Sequence, residues 1–181
     1  MTSSTGSYHE LTHFRGGQII QTVTAVMRDT ASKSVNTQAT WEFADFPIHI
    51  ALSKPSNLVL VTGFISIAIN GGGQNVRIGI RRATSNVNDA MGGATGNGPA
   101  KGSRRACHSE TGHNGDYFIS SLPIHFVDQP NTTEMLRYYP QFSHGSSGTR
   151  TIYINRSEGD SPDNAERGRA ISIMTAQEIL T

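Results

Sequence analysis

The stretch RRACHSETGHNGDYF, residues 104–118, sets Cys107, His108, Glu110 and His113 within seven positions. Thiolate, imidazole and carboxylate are the zinc ligands of proteins and also the groups of nucleophilic and acid–base catalysis. A zinc site takes three or four ligands, often at a tight C-x2-C or H-x3-H spacing. Here the two histidines are five apart in a Gly-rich segment, where neither a helix nor a strand sets them side by side. HSETGH is not HExxH, because its glutamate is out of place for the metalloprotease arrangement. The HxE that opens the zinc-deaminase signature needs a later PCxxC, which a chain with one cysteine lacks. A Cys–His nucleophile needs its base within hydrogen-bond reach and a third group to orient that base. Adjacent residues such as Cys107 and His108 point apart on an extended chain. The stretch therefore reads as a polar surface loop whose histidines are solvated or meet a neighbouring subunit. No catalytic residue, metal or cofactor is expected. Its functional role, if it has one, is outward recognition through Arg104, Arg105, His108 and His113.

Other chemistry-bearing residues read the same way. DSPDNAE, Asp160 to Glu166, offers oxygen ligands but lacks the EF-hand spacing and glycine, so a solvated acidic turn is expected. GxGxxG, GxxxxGK[ST] and GxSxG do not occur. Lys101, Arg104 and Arg105 make a small basic cluster without the larger patch and aromatic partners that nucleic acid requires. Trp41, Tyr138 and Tyr139 could stack on sugars or anchor an interface, and core packing is the favoured role for each.

The elements that must position these residues are strands. Helical patterning is almost absent and period-2 patterning recurs. Ile19, Val23, Ala25 and Met27 share one face of QIIQTVTAVMRD, with Thr22, Thr24 and Arg28 on the other. Val76, Ile78 and Ile80 alternate with Arg77, Gly79 and Arg81. Phe118, Leu122, Ile124 and Phe126 share a face, as do Leu136, Tyr138 and Phe142, and Ile152 and Ile154. NLVLVTGFISIAIN is apolar on both faces and reads as a central strand. ATWEFADFPIHIALS supplies one or two strands and RAISIMTAQEI the last. Eight or nine strands with turn residues between them predict an all-β sandwich, barrel or jelly roll. Pro123 and Pro140 interrupt strand patterns, which places them at edges or bulges. Three segments read as non-strand: a polar extended arm at 1–16, a Gly/Asn/Ser-rich insertion at 85–115, and an acidic loop at 157–168.

Composition narrows the function classes. The 181-residue chain has a formal net charge of +1, which argues against strong attraction to nucleic acid or acidic membranes. Charged residues are only 16% of the chain, and lysine occurs only at Lys33, Lys54 and Lys101. Lysine is depleted in protein interfaces and arginine favoured there. One cysteine excludes an internal disulfide framework. MTSSTGSYHELTHFRGG lacks the apolar stretch of a signal peptide, and the run Leu58 to Ile69 is too short and too interrupted to span a bilayer. The chain is expected to be made in the cytoplasm and used there, or assembled there into something larger.

Both ends resemble one family. Gly17-Gln18-Ile19-Ile20-Gln21-Thr22-Val23, followed by Asp29-Thr30, resembles the G-x-[IV]-[IL]-Q-x-V opening strand of small β-domains in structural proteins of tailed phages and cyanophages. Arg169 to Ile179 resembles their S-x-[IL]-T-A-M-E-[IV] final strand, departing from it with Gln177 in place of methionine and Met174 ahead of the Thr-Ala pair. The resemblance implies an antiparallel jelly-roll sandwich over residues 17–181, related in shape to tumour-necrosis-factor-like domains. It implies a homotrimer in a virion assembled in the host cytoplasm, either a capsid decoration or cement protein or the head of a fibre. The implied partners are further copies of the chain and the major capsid protein or another virion protein. The arm would touch them through Tyr8, His13, Phe14 and Arg15. A fibre head would instead grip a host surface glycan through the 85–115 loop. From a different class, a metal-dependent β-sandwich or cupin-like enzyme would use His108, Glu110 and His113. Cupin ligands, however, lie on strands in two spaced motifs that this chain does not show.

Overall fold

The computed structural model describes residues 17–37, 39–71, 74–84, 94–95, 107–113, 118–160 and 168–181. Within them the chain forms β1 (Ile19–Met27), β2 (Ala31–Val35), β3 (Trp41–Glu42), β4 (Ile48–Ala51), β5 (Leu58–Ile69) and β6 (Gln74–Thr84). There follow β7 (Ala94–Thr95), β8 (Ser109–His113), β9 (Ser120–Asp128), β10 (Met135–His144), β11 (Arg150–Ile154) and β12 (Ser172–Ile179).

Every pairing is antiparallel, and the strands make two sheets. The first runs β1-β12-β5-β9, because Val61 pairs with Ala176 on one side and Phe126 on the other. The β11–β2 pair extends it beyond the far end of β12. The second runs β4-β10-β6-β8, with the short β3 and β7 beside β4 and β8. The chain crosses between sheets from β2 to β3, β4 to β5, β5 to β6, β8 to β9, β9 to β10 and β10 to β11, which is the two-Greek-key winding of a jelly roll. The architecture is the sandwich expected from the strand rhythm.

Alternation decides which residues go inside. Val59, Val61, Ile65, Ile67 and Ile69 of β5 meet Val76, Ile78 and Ile80 of β6 in one buried cluster. Leu122, Ile124 and Phe126 join from β9, Leu136, Tyr138 and Phe142 from β10, and Met174 and Ala176 from β12. Each fully buried aliphatic chain contributes on the order of 1.5–3 kcal/mol. One ionic clamp crosses this core. Asp128 of β9 accepts from Arg82 Nη1 of β6 at 2.7 Å and from the Tyr138 hydroxyl of β10 at 2.7 Å. Burial, and then the bond to Asp128, push the Tyr138 phenol far above its ordinary range, so it serves as a neutral donor.

Three expectations need correction. Phe118 does not join Leu122, Ile124 and Phe126: it precedes β9 and is exposed. Within the 85–115 insertion, Ser109–His113 is a strand, held in register by β6 although it lacks large apolar residues. Pro140 lies in a central strand rather than at an edge. Its carbonyl accepts from Phe43 N at 2.9 Å, in the gap between β3 and β4, so its missing N–H falls where no ladder bond is needed. Pro123 sits on β9, an edge strand of the first sheet, as expected.

Candidate assembly surface

The residues with the strongest chemical promise are engaged in the fold. His108 Nε2 accepts from His125 N at 3.0 Å, and its ring lies 5.7 Å from that of Phe126. Glu110 projects from β8, where its carboxylate pairs with Arg77 Nε at 3.0 Å and accepts from Asn75 Nδ2. Burial, and then the nearby Glu110 charge, raise the Cys107 thiol above its ordinary value, which disfavours the nucleophilic thiolate. His113 pairs with Gln74 in the ladder, and its side chain lies outside the described residues. Tyr8, His13, Phe14, Arg15, Arg104 and Arg105 also lie outside them. Among the described residues, no three His, Cys, Asp or Glu side chains come together to hold a metal. Asp160 pairs with Arg169 at 2.8 Å, and that bond holds its carboxyl below the usual range. Trp41 packs on Phe43 and Phe142, and Tyr138 and Tyr139 are buried.

The distinctive surface is the outer face of the first sheet. Side chains that alternate away from the core line up across β1, β12, β5 and β9 in register. One row is Val26, Ile173, Phe64 and Pro123. The next is Thr24, Thr175, Thr62 and His125, with the Thr24 and Thr175 hydroxyls 3.1 Å apart. The third is Thr22, Gln177, Leu60 and Val127. Beyond it Ile179 pairs with Leu58, and a bulge between Ile19 and Gln21 leaves Ile19 and Ile20 exposed. Val26 is 47% exposed and Val127 55%, so this apolar surface meets solvent in the single chain.

Buried polar groups tie the strands of this sheet together at both ends. Asn155, with φ of 60°, donates Nδ2 to the Met27 and Asp29 carbonyls at 3.0 and 2.9 Å. Its Oδ1 accepts from Ser172 Oγ at 2.6 Å, and Ser172 Oγ accepts from Ser66 N at 3.0 Å. β1, β5, β11 and β12 are thereby tied at one end. At the other, the buried Glu178 carboxylate accepts from Ser53 N, Ser53 Oγ and Asn57 Nδ2, each at 2.7 Å. Burial alone would raise its pKa; the bonds from Asn57, Ser53 and the Lys54 backbone outweigh it and lower the value. Gly17 N donates to Leu180 O at 2.7 Å and Leu180 N to Gln18 O at 2.9 Å, so Gly17 lies beside Leu180.

No family model matches the chain, and no curated protein does. Among solved structures, the infectious bursal disease virus Gx strain is similar at 13% identity and a TM-score of 0.45, over 88% of this chain and 41% of that one. T=1 particles derived from infectious bursal virus match at 13% and 0.47, over 88% and 40%. The infectious bursal disease virus VP2 subviral particle matches at 12% and 0.46, over 88% and 41%. This chain thus spans about two-fifths of the length of each of those chains.

Proposed function

We propose that the protein is a non-enzymatic structural component of a tailed-phage virion, a homotrimer that decorates or cements the capsid. One observation carries the reading. The two segments that resemble phage structural strands, residues 17–23 and 169–179, lie side by side: β1 and β12 pair from Ile19↔Ile179 to Met27↔Ser172. The two resembling segments, from opposite ends of the 181-residue sequence, thus form one strand pair, which supports the reading. The jelly roll supplies the frame, and its polar groups serve packing rather than chemistry. In this reading residues 1–16, with Tyr8, His13, Phe14 and Arg15, contact the major capsid protein or another virion protein from the β1–β12 end.

A second reading keeps the fold and moves the site. Among the described residues β7 and β8 pair only with β6, on its side away from β10, with His108 just before β8 and His113 at its end. A fibre head would present the 85–115 loop to a host glycan. Deleting residues 86–105 would then abolish cell or glycan binding and leave capsid association intact, whereas the cement reading expects no change in either.

Light scattering on the purified chain, before and after chelator treatment, tests the main reading. Three times 19.5 kDa, unchanged by chelator, is the expected mass. A monomer at every concentration overturns the trimer. A mass or fold that changes with chelator returns the Cys107–His113 segment to a metal role.

A further inference from the structure

We infer that the solvent face of the β1-β12-β5-β9 sheet is the surface on which copies of this chain pack against one another. The inference rests on the homotrimer reading and names its place of contact. None of the side chains in the three rows is Asp, Glu, Lys or Arg. A partner that set ions against threonine and aliphatic surface would strip their water without returning a counter-charge. An uncharged partner face carries no such cost, and around a threefold axis each copy turns this face inward, so that one part of it meets a different part of the same face on the next copy. The outer face of the other sheet is not such a partner, because it carries Arg77, Arg81 and Arg137 with Glu42 and Glu110.

Size agrees. Four strands ~4.8 Å apart and six residues at ~3.4 Å each give about 400 Å² of sheet without a carboxylate, ammonium or guanidinium; half of its side chains are apolar, and depletion of charge is what marks the core of an interface. The exposed Ile19, Ile20 and Ile171 extend it at its two ends towards the ~800 Å² per partner of a standard interface. The edge is open too. Among the described residues β1 pairs only with β12, and no charge or proline lies in Ile19–Met27 to blunt its free side. Soluble monomers cover or charge such an edge, and here a second copy covers it together with the face.

The test is sedimentation velocity on the full chain, the double variant Val26→Glu/Val127→Glu, and Arg137→Glu as the opposite-face control. Both valines are about half exposed, so the double variant should keep the wild-type circular dichroism. Wild type and Arg137→Glu are expected to run as trimers. The double variant is expected to run as a folded monomer, with association weakened at least ~100-fold. A folded double variant that stays trimeric overturns the inference and leaves the homotrimer reading standing. A monomeric wild type overturns the homotrimer reading itself. If the double variant does not fold, Thr24→Arg at an exposed threonine replaces it and is read in the same way.

Discussion

The two sheets share one core and present opposite outer faces. On the second, Arg77 pairs with Glu110 at 3.0 Å, Arg81 with Glu42 at 3.7 Å, and Arg137 lies 5.0 Å over the Tyr139 ring. On the first, the same strand alternation presents valine, leucine, isoleucine, phenylalanine and proline beside threonines, Gln177 and His125. Core packing does not require this difference, because both inner faces are apolar. Surface ion pairs contribute only about 0–1 kcal/mol to a fold, so the arginines chiefly keep their face in water. The uncharged face has no such hydration, and burying it against another copy recovers the free energy that its exposure costs. What separates the two sheets is thus what each is built to meet.

The comparison breaks most readily at the knot that ties the strands of the uncharged sheet. Asn155→Ala removes three hydrogen bonds, one buried and two part-buried, and puts alanine at a φ of 60°, so a loss of about 3 kcal/mol is expected in urea unfolding. Gly63→Ala comes next. Gly63 has a φ of 146°, and an added Cβ would stand 2.1 Å from the Ile173 carbonyl oxygen of β12. A loss of about 2–3 kcal/mol is expected, with β12 amides exchanging faster than those of β10. The third expectation concerns pH. Glu178 has a depressed folded-state pKa, so its contribution is present above the unfolded value of about 4.3 and is lost as pH falls through the folded value. Glu178→Gln should flatten the wild-type decline in stability below about pH 4.3, seen by thermal unfolding across pH. The smallest effect belongs to the charged face: Arg77→Ala should cost under ~1 kcal/mol and leave the solution mass unchanged.

Much of the fold was legible because alternation writes the core directly. Val76, Ile78 and Ile80, or Leu136, Tyr138 and Phe142, declare one buried face each, and all six are inside. β2 was not legible: in ASKSV only Val35 is buried, and Ser32, Lys33 and Ser34 are exposed at the sheet edge, so no pattern marks a strand. β8 was hidden for the same reason, its place fixed by β6 rather than by its own residues. The assembly surface left half a signal. NLVLVTGFISIAIN is apolar on both faces, yet Leu60 and Phe64 stay partly exposed, so something must cover them if that face is to be dry. The other rows could not be seen in sequence. Val26, Ile173, Phe64 and Pro123 are neighbours only through the order β1-β12-β5-β9, which is a product of long-range winding.

Hydroxyl-radical footprinting of the wild-type chain, at high concentration and after dilution, tests most directly that the uncharged face is where copies meet. Leu60, Phe64, Ile173 and Val127 should be protected at high concentration and react on dilution, while the exposed His49 and Met135 on the other sheet should react equally in both. Equal reactivity of the two faces at every concentration, in a sample whose mass is that of a trimer, would contradict the account.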